Sequence, residues 1–158
     1  MLPKTNEIDE MLHNFFEQFG LDIDFCLDCD FNYYIYEQKI GYAFVVSEKH
    51  DKWYREYVAS LDSAVANSDM FLLSLFHEVG HHMTIDDFSD WELKRYFNRK
   101  KVSKDNKKAY FRYFNSKIEK VATLWAIDFM NDNSAEISKM WEELQQKIFK
   151  FYSECGLQ

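Results

Sequence analysis

The sequence predicts a mostly helical α+β domain with one small β-hairpin. Three observations point there. Apolar residues recur at helical spacing over most of the 158-residue chain. Residues 31–47 instead gather aromatic and β-branched residues in the manner of strands. Hydrophobic residues make up 47% of the chain and aromatics 18%, enough to bury a core and too much for a disordered segment. The length suits a single domain spanning 1–158.

Taken in order, Ile8, Met11, Leu12, Phe15, Phe16 and Phe19 repeat as i, i+3, i+4, i+7, and Gly20 offers a stop, so the first element is a helix. Tyr33–Tyr36 and Tyr42–Val46 read as strands, joined by a turn over Glu37–Gly41. Trp53, Tyr54, Tyr57, Val58, Leu61 and Val65 return to helical spacing over 52–66. Asn67-Ser68-Asp69 caps a helix from about Met70 to Met83 that is apolar nearly all round, which places it at the centre of the domain. Ser89-Asp90-Trp91-Glu92 matches a capping box and opens a short helix. One stripe from Ala109 to about Asn131 predicts a long helix, and Ser134 caps a last one through Phe151.

Charge and cysteine usage exclude several classes. Acids outnumber bases 27 to 19, and the excess of eight lies within residues 1–37. Such a balance argues against a nucleic-acid-binding domain. A local basic run, Lys94–Lys108, reads as a solvated helix end and loop or as a docking patch for an acidic partner. No stretch is long and apolar enough for a membrane span, and the N-terminus lacks the apolar core of an export signal. Three cysteines without such a signal suggest free thiols in a reducing cytoplasm. Cys26 and Cys29 form a C-x-x-C, but a thiolate zinc site needs more ligands, and only Cys155 remains.

Chemistry concentrates in residues 77–82, His-Glu-Val-Gly-His-His. On a helix, His77 and His81 lie one turn apart and about 40° around the axis, so both imidazoles can reach one metal ion. Glu78 stands beside them, placed to take a proton from a water at that metal. Two imidazoles and a carboxylate suit Zn²⁺. Buried His and Glu on an apolar helix are costly unless paired, and a metal supplies the pairing. Gly80 weakens a helix interior by about 1 kcal/mol relative to alanine, and close approach of another backbone would account for it.

Glu119 is the first candidate for third ligand. Ala122 and Ala126 follow it on the same face, a strip small enough for tight packing against the motif helix. Asp86 and Asp87 compete: Asp87 lies six residues after His81, although Thr84 stands where that alternative spacing needs a turn glycine. Tyr110, Tyr113 and His82 are candidate donors to a developing oxyanion.

The set His77-Glu-x-x-His81-His82 followed by Glu119-x-x-Ala122-x-x-x-Ala126 resembles the ImmA/IrrE-like metallopeptidases of bacteria and their mobile elements. The order of parts is similar too: helix, hairpin, motif helix, glutamate helix. The resemblance covers roughly 30–131. It implies a zincin-like domain with the small sheet beside the motif helix, zinc on His77, His81 and Glu119, and Glu78 as base. It also implies a substrate among transcriptional regulators encoded nearby. The expected activity is therefore a zinc-dependent endopeptidase acting on a cytoplasmic protein. The alternative is a zinc-containing or metal-free module that docks a regulator without cutting it.

Overall fold

The computed structural model describes residues 7–27, 33–35, 39–42, 48–99 and 104–154. Helix α1 spans Glu7–Glu17, and the chain turns at Gly20 with φ of 74°, the left-handed region where a side chain is disfavoured. Strands β1 (Asp24–Leu27), β2 (Tyr33–Ile35) and β3 (Lys39–Tyr42) follow, then α2 (Glu48–Leu61) and a 3₁₀ turn at Val65–Asn67. Helices α3 (Met70–Thr84), α4 (Asp90–Arg99), α5 (Lys107–Phe114), α6 (Lys117–Asp132) and α7 (Ser134–Glu154) complete the chain. The mostly helical α+β class expected from the sequence is the one observed.

The sheet has the order β1-β3-β2. β2 and β3 form the expected antiparallel hairpin, with Tyr33 opposite Gly41 and Ile35 opposite Lys39. Its second strand starts earlier than the expected Tyr42, and residues 43–47 lie outside the described residues. β1 adds a parallel pairing to β3 that the sequence did not announce, Asp24 opposite Lys39 through Leu27 opposite Tyr42. α1 packs on β1, and α3 packs on β2 and β3. A buried hydrogen bond from the Tyr42 hydroxyl to Asp9 fastens β3 to α1 and satisfies a carboxyl that is only 7% exposed.

Helix α3 runs through the middle because nearly every side of it is apolar. Phe71, Leu72, Leu73, Leu75, Phe76 and Val79 are all buried. Phe76 meets Phe16 with ring centroids 5.6 Å apart and Phe129 at the same distance, joining α1, α3 and α6. Burying one such ring stabilises the fold by about 2 kcal/mol. The cap expected at Asp69 is present: its side chain accepts the Phe71 N–H at 2.9 Å. So is the capping box, where Glu92 accepts the Ser89 N–H at 2.9 Å and Ser89 Oγ accepts the Glu92 N–H at 3.2 Å.

The long helix expected over 109–131 is two helices. Asn106 caps α5 by accepting the Ala109 N–H, and the chain leaves helical geometry at Ser116, whose ψ is 148°. The apolar stripe conceals this break because Phe114 and Ile118 keep helical spacing across it. Asn115-Ser116, a pair that favours caps over helix interiors, is the local cause. Among the described residues no helix is long and apolar enough to cross a membrane.

Candidate metal centre

Helices α3 and α6 cross in intimate contact, and Gly80 is the reason. A Cβ built at Gly80 would lie 2.2 Å from the carbonyl oxygen of Ala122. Only hydrogen fits between these two backbones, so glycine on α3 and alanine on α6 set the separation of the helices. At that separation Glu119, one turn before Ala122 and 1% exposed, reaches across to the motif.

Three side chains converge there. His77 Nε2 lies 2.9 Å from Glu119 Oε2, and His81 Nε2 lies 3.0 Å from the same oxygen. The imidazole centroids are 4.6 Å apart, and all three residues are buried. Burial alone would raise the Glu119 carboxyl, but hydrogen bonds and charge from His77 and His81 hold it well below the ordinary carboxylate range. Its place in the first turn of α6 adds the favourable end of the helix dipole.

Two borderline nitrogen donors and one carboxylate oxygen are a zinc-type set. A tetrahedral ion with bonds of about 2.0–2.1 Å separates its ligand atoms by about 3.3 Å, so the cluster needs only small side-chain shifts to accept one. The residues fit the metal that the sequence suggests.

The surroundings hold the ligands in place. His77 Nδ1 lies 3.0 Å from Thr123 Oγ1, one turn after Glu119 on the same face of α6. The Tyr54 ring meets the His77 ring edge-on at 5.5 Å. Phe114 packs beside Tyr54, with ring centroids 5.0 Å apart, and also lies 5.5 Å from the His77 ring. The tautomer with Nδ1–H donated to Thr123 would leave the Nε2 lone pair of His77 free to bind a metal ion.

A second group faces Glu119 from the opposite side. The Tyr96 hydroxyl on α4 donates to Glu119 Oε1 and lies 3.1 Å from the Tyr113 hydroxyl on α5, close enough for the Glu119 charge to act on both phenols. Burial, then the Glu119 charge, pushes both phenols well above their ordinary value, so they stay protonated donors.

The other residues singled out by sequence fall elsewhere. Glu78 is half-buried on α3, close enough that its charge is felt at Tyr54 and Tyr113. Asp86 and Asp87 are exposed in the 3₁₀ turn that follows α3 and are not part of the cluster. The Tyr110 hydroxyl donates to the His50 carbonyl at 3.1 Å. His82 is half-buried and outside the cluster; burial pushes its imidazole down, against an opposing pull from Asp86. Cys26 is half-buried on β1, and Cys29 and Cys155 lie outside the described residues. Of the basic run, Lys100 and Lys101 lie outside them too, whereas Lys107 pairs with Glu56 and Lys104 covers the Tyr113 ring at 3.8 Å.

Tyr96 and Thr123 are the site residues that sequence reasoning missed. Thr123 carries a readable signal, a polar residue one turn beyond Glu119 on a strip of alanines. Tyr96 carries none beyond its place on an amphipathic helix. Compared with models of known families, with curated proteins and with solved structures, the chain gives no match.

Proposed function

We propose that the chain is a zinc-dependent metallo-endopeptidase of the HExxH type, similar to the ImmA/IrrE-like peptidases, acting on a cytoplasmic protein. A transcriptional regulator of a mobile element is the substrate that this resemblance suggests. One observation carries the reading: His77 Nε2, His81 Nε2 and Glu119 Oε2 meet within 3.0 Å in a buried site, with Glu78 next to the first ligand on the same helix.

Zinc held by His77, His81 and Glu119 would supply Lewis acidity for a scissile carbonyl and for the attacking water. The remaining roles belong to the chain. Glu78 accepts the proton of the water and returns it to the leaving amine. Tyr113 and Tyr96, neutral hydroxyls beside Glu119, are the donors best placed for a developing oxyanion. Thr123 holds the His77 ring in orientation, and Tyr54 and Phe114 together pack against it.

The test is the base. Glu78→Gln should retain zinc and fold while abolishing cleavage of any substrate that the wild-type chain cuts, a regulator encoded by a neighbouring gene being the first to try. Undiminished cleavage removes Glu78 from the mechanism. Binding of that regulator by the wild-type chain with no cleavage at all supports the docking module instead.

A further inference from the structure

A cavity of about 470 Å³ opens between α4 and the α5–α6 corner. It is within the size range of ligand pockets. Tyr96 and Tyr113 form part of its wall; the Tyr96 hydroxyl reaches Glu119 and the Tyr113 hydroxyl meets that of Tyr96, so the cavity and the candidate metal centre share a partition. The other walls are largely apolar, with Phe88 and Ile118 at the side and Trp91 at the mouth. Trp91 is 66% exposed, a large aromatic surface left in water.

The charged residues at this opening oppose the character of the whole chain, whose formal net charge is −8. Arg95, Arg112 and Lys117 line it together with one acid, Glu92. Lys117 is neutralised by Glu92 at 2.6 Å. Among the described residues neither Arg95 nor Arg112 has an acidic partner; Arg95 sits over the Trp91 ring at 5.4 Å. Ser116 adds a polar atom to the same lining, a buried Oγ that caps nothing and has no hydrogen-bond partner among the described residues.

An apolar hole beside the scissile site, framed by two arginines and one orphaned hydroxyl, matches a definite ligand chemistry. We infer that this cavity is the specificity pocket of the peptidase, taking a bulky aromatic side chain from a peptide segment flanked by acidic residues. The ring fills the hole against Phe88, Tyr96 and Tyr113, and stacks at its rim on Trp91. The flanking carboxylates meet Arg95 and Arg112, which also steer an acidic segment toward a patch on an otherwise acidic protein. The inference rests on the peptidase reading for its purpose, but peptide binding can be measured without cleavage.

The probe is a fluorescein-labelled heptapeptide with a central phenylalanine between glutamates. Its anisotropy is titrated with the zinc-loaded full chain carrying Glu78→Gln, so that cleavage cannot consume it. Trp91→Ala and Arg112→Glu, both at exposed positions, should each weaken binding about tenfold or more. Replacing the peptide's phenylalanine with alanine, or its glutamates with lysines, should do the same on an unaltered protein, where no folding defect can imitate the effect. The inference is overturned if neither protein variant changes the affinity, if no peptide binds, or if a single-stranded oligonucleotide displaces the peptide. The two readings fail separately. A wild-type chain that binds this peptide in the cavity and never cuts it sinks the peptidase alone, whereas cleavage indifferent to Trp91 and Arg112 sinks the pocket alone.

Discussion

Helices α3 and α4 both reach the His77–His81–Glu119 cluster, and they do so in opposite ways. α3 is buried along its length, locked to α6 by a glycine with no room for a methyl group, and contributes both imidazoles. α4 is amphipathic and largely exposed, contributes one hydroxyl to Glu119, and leaves a cavity between itself and α5–α6. The difference separates two demands that a hydrolytic site of the proposed kind would make. Ligands must be held at fixed separation, which needs backbone contact. A substrate must enter, which needs a wall that leaves space.

The seam should therefore be the intolerant side. Gly80→Ala pushes a methyl group into the Ala122 carbonyl, a backbone atom that cannot swing aside, and should cost about 3 kcal/mol despite the better helix propensity of alanine. Arg112→Ala on the cavity side should stay within about 0.5 kcal/mol. Urea unfolding of the two variants measures both. Equal midpoints would mean that the two walls do not differ in rigidity.

A smaller effect tests whether α4 serves the site at all. Tyr96→Phe removes the hydroxyl from Glu119 Oε1 without emptying volume, and zinc affinity should fall by about 10–100-fold while the melting temperature of the metal-free chain barely moves. Unchanged zinc affinity would leave α4 as a wall only.

The smallest effect concerns how α4 is anchored. Hydrogen bonds from Lys117 and from the Ser89 N–H pull the Glu92 carboxyl down to about 2. A carboxyl depressed in the folded state contributes stability above its ordinary value of 4.5, and loses it as pH falls through the folded value. Glu92→Gln should thus lower the melting temperature slightly at pH 7, and the gap to wild type should close between about pH 4.5 and 2. A gap that persists at pH 2 would assign the effect to something other than this ionisation.

The same division decides what could be read in the sequence. The seam was legible because its parts are local patterns: His77 and His81 one turn apart, Gly80 in an apolar helix, Ala122 and Ala126 at helical spacing from Glu119. Each pattern points at a face, and two such faces find each other. The α4 side was not legible, because Tyr96, Tyr113 and Glu119 come from three helices whose mutual placement no spacing encodes. The stripe from Ala109 onward even hid the break at Ser116 that turns α5 toward α4. Likewise β1 is too short to declare itself, since its pairing with β3 is a long-range choice of the fold rather than a property of Asp24–Leu27.

The central claim is that His77, His81 and Glu119 hold one zinc ion, and metal analysis of the purified chain tests it most directly. After incubation with excess zinc and removal of the unbound ion, the wild-type chain should retain about one equivalent. Glu119→Ala should lose nearly all of it, and Asp87→Ala should keep it. A wild-type chain that retains no zinc, or a set in which Asp87→Ala loses the metal while Glu119→Ala keeps it, would contradict the claim.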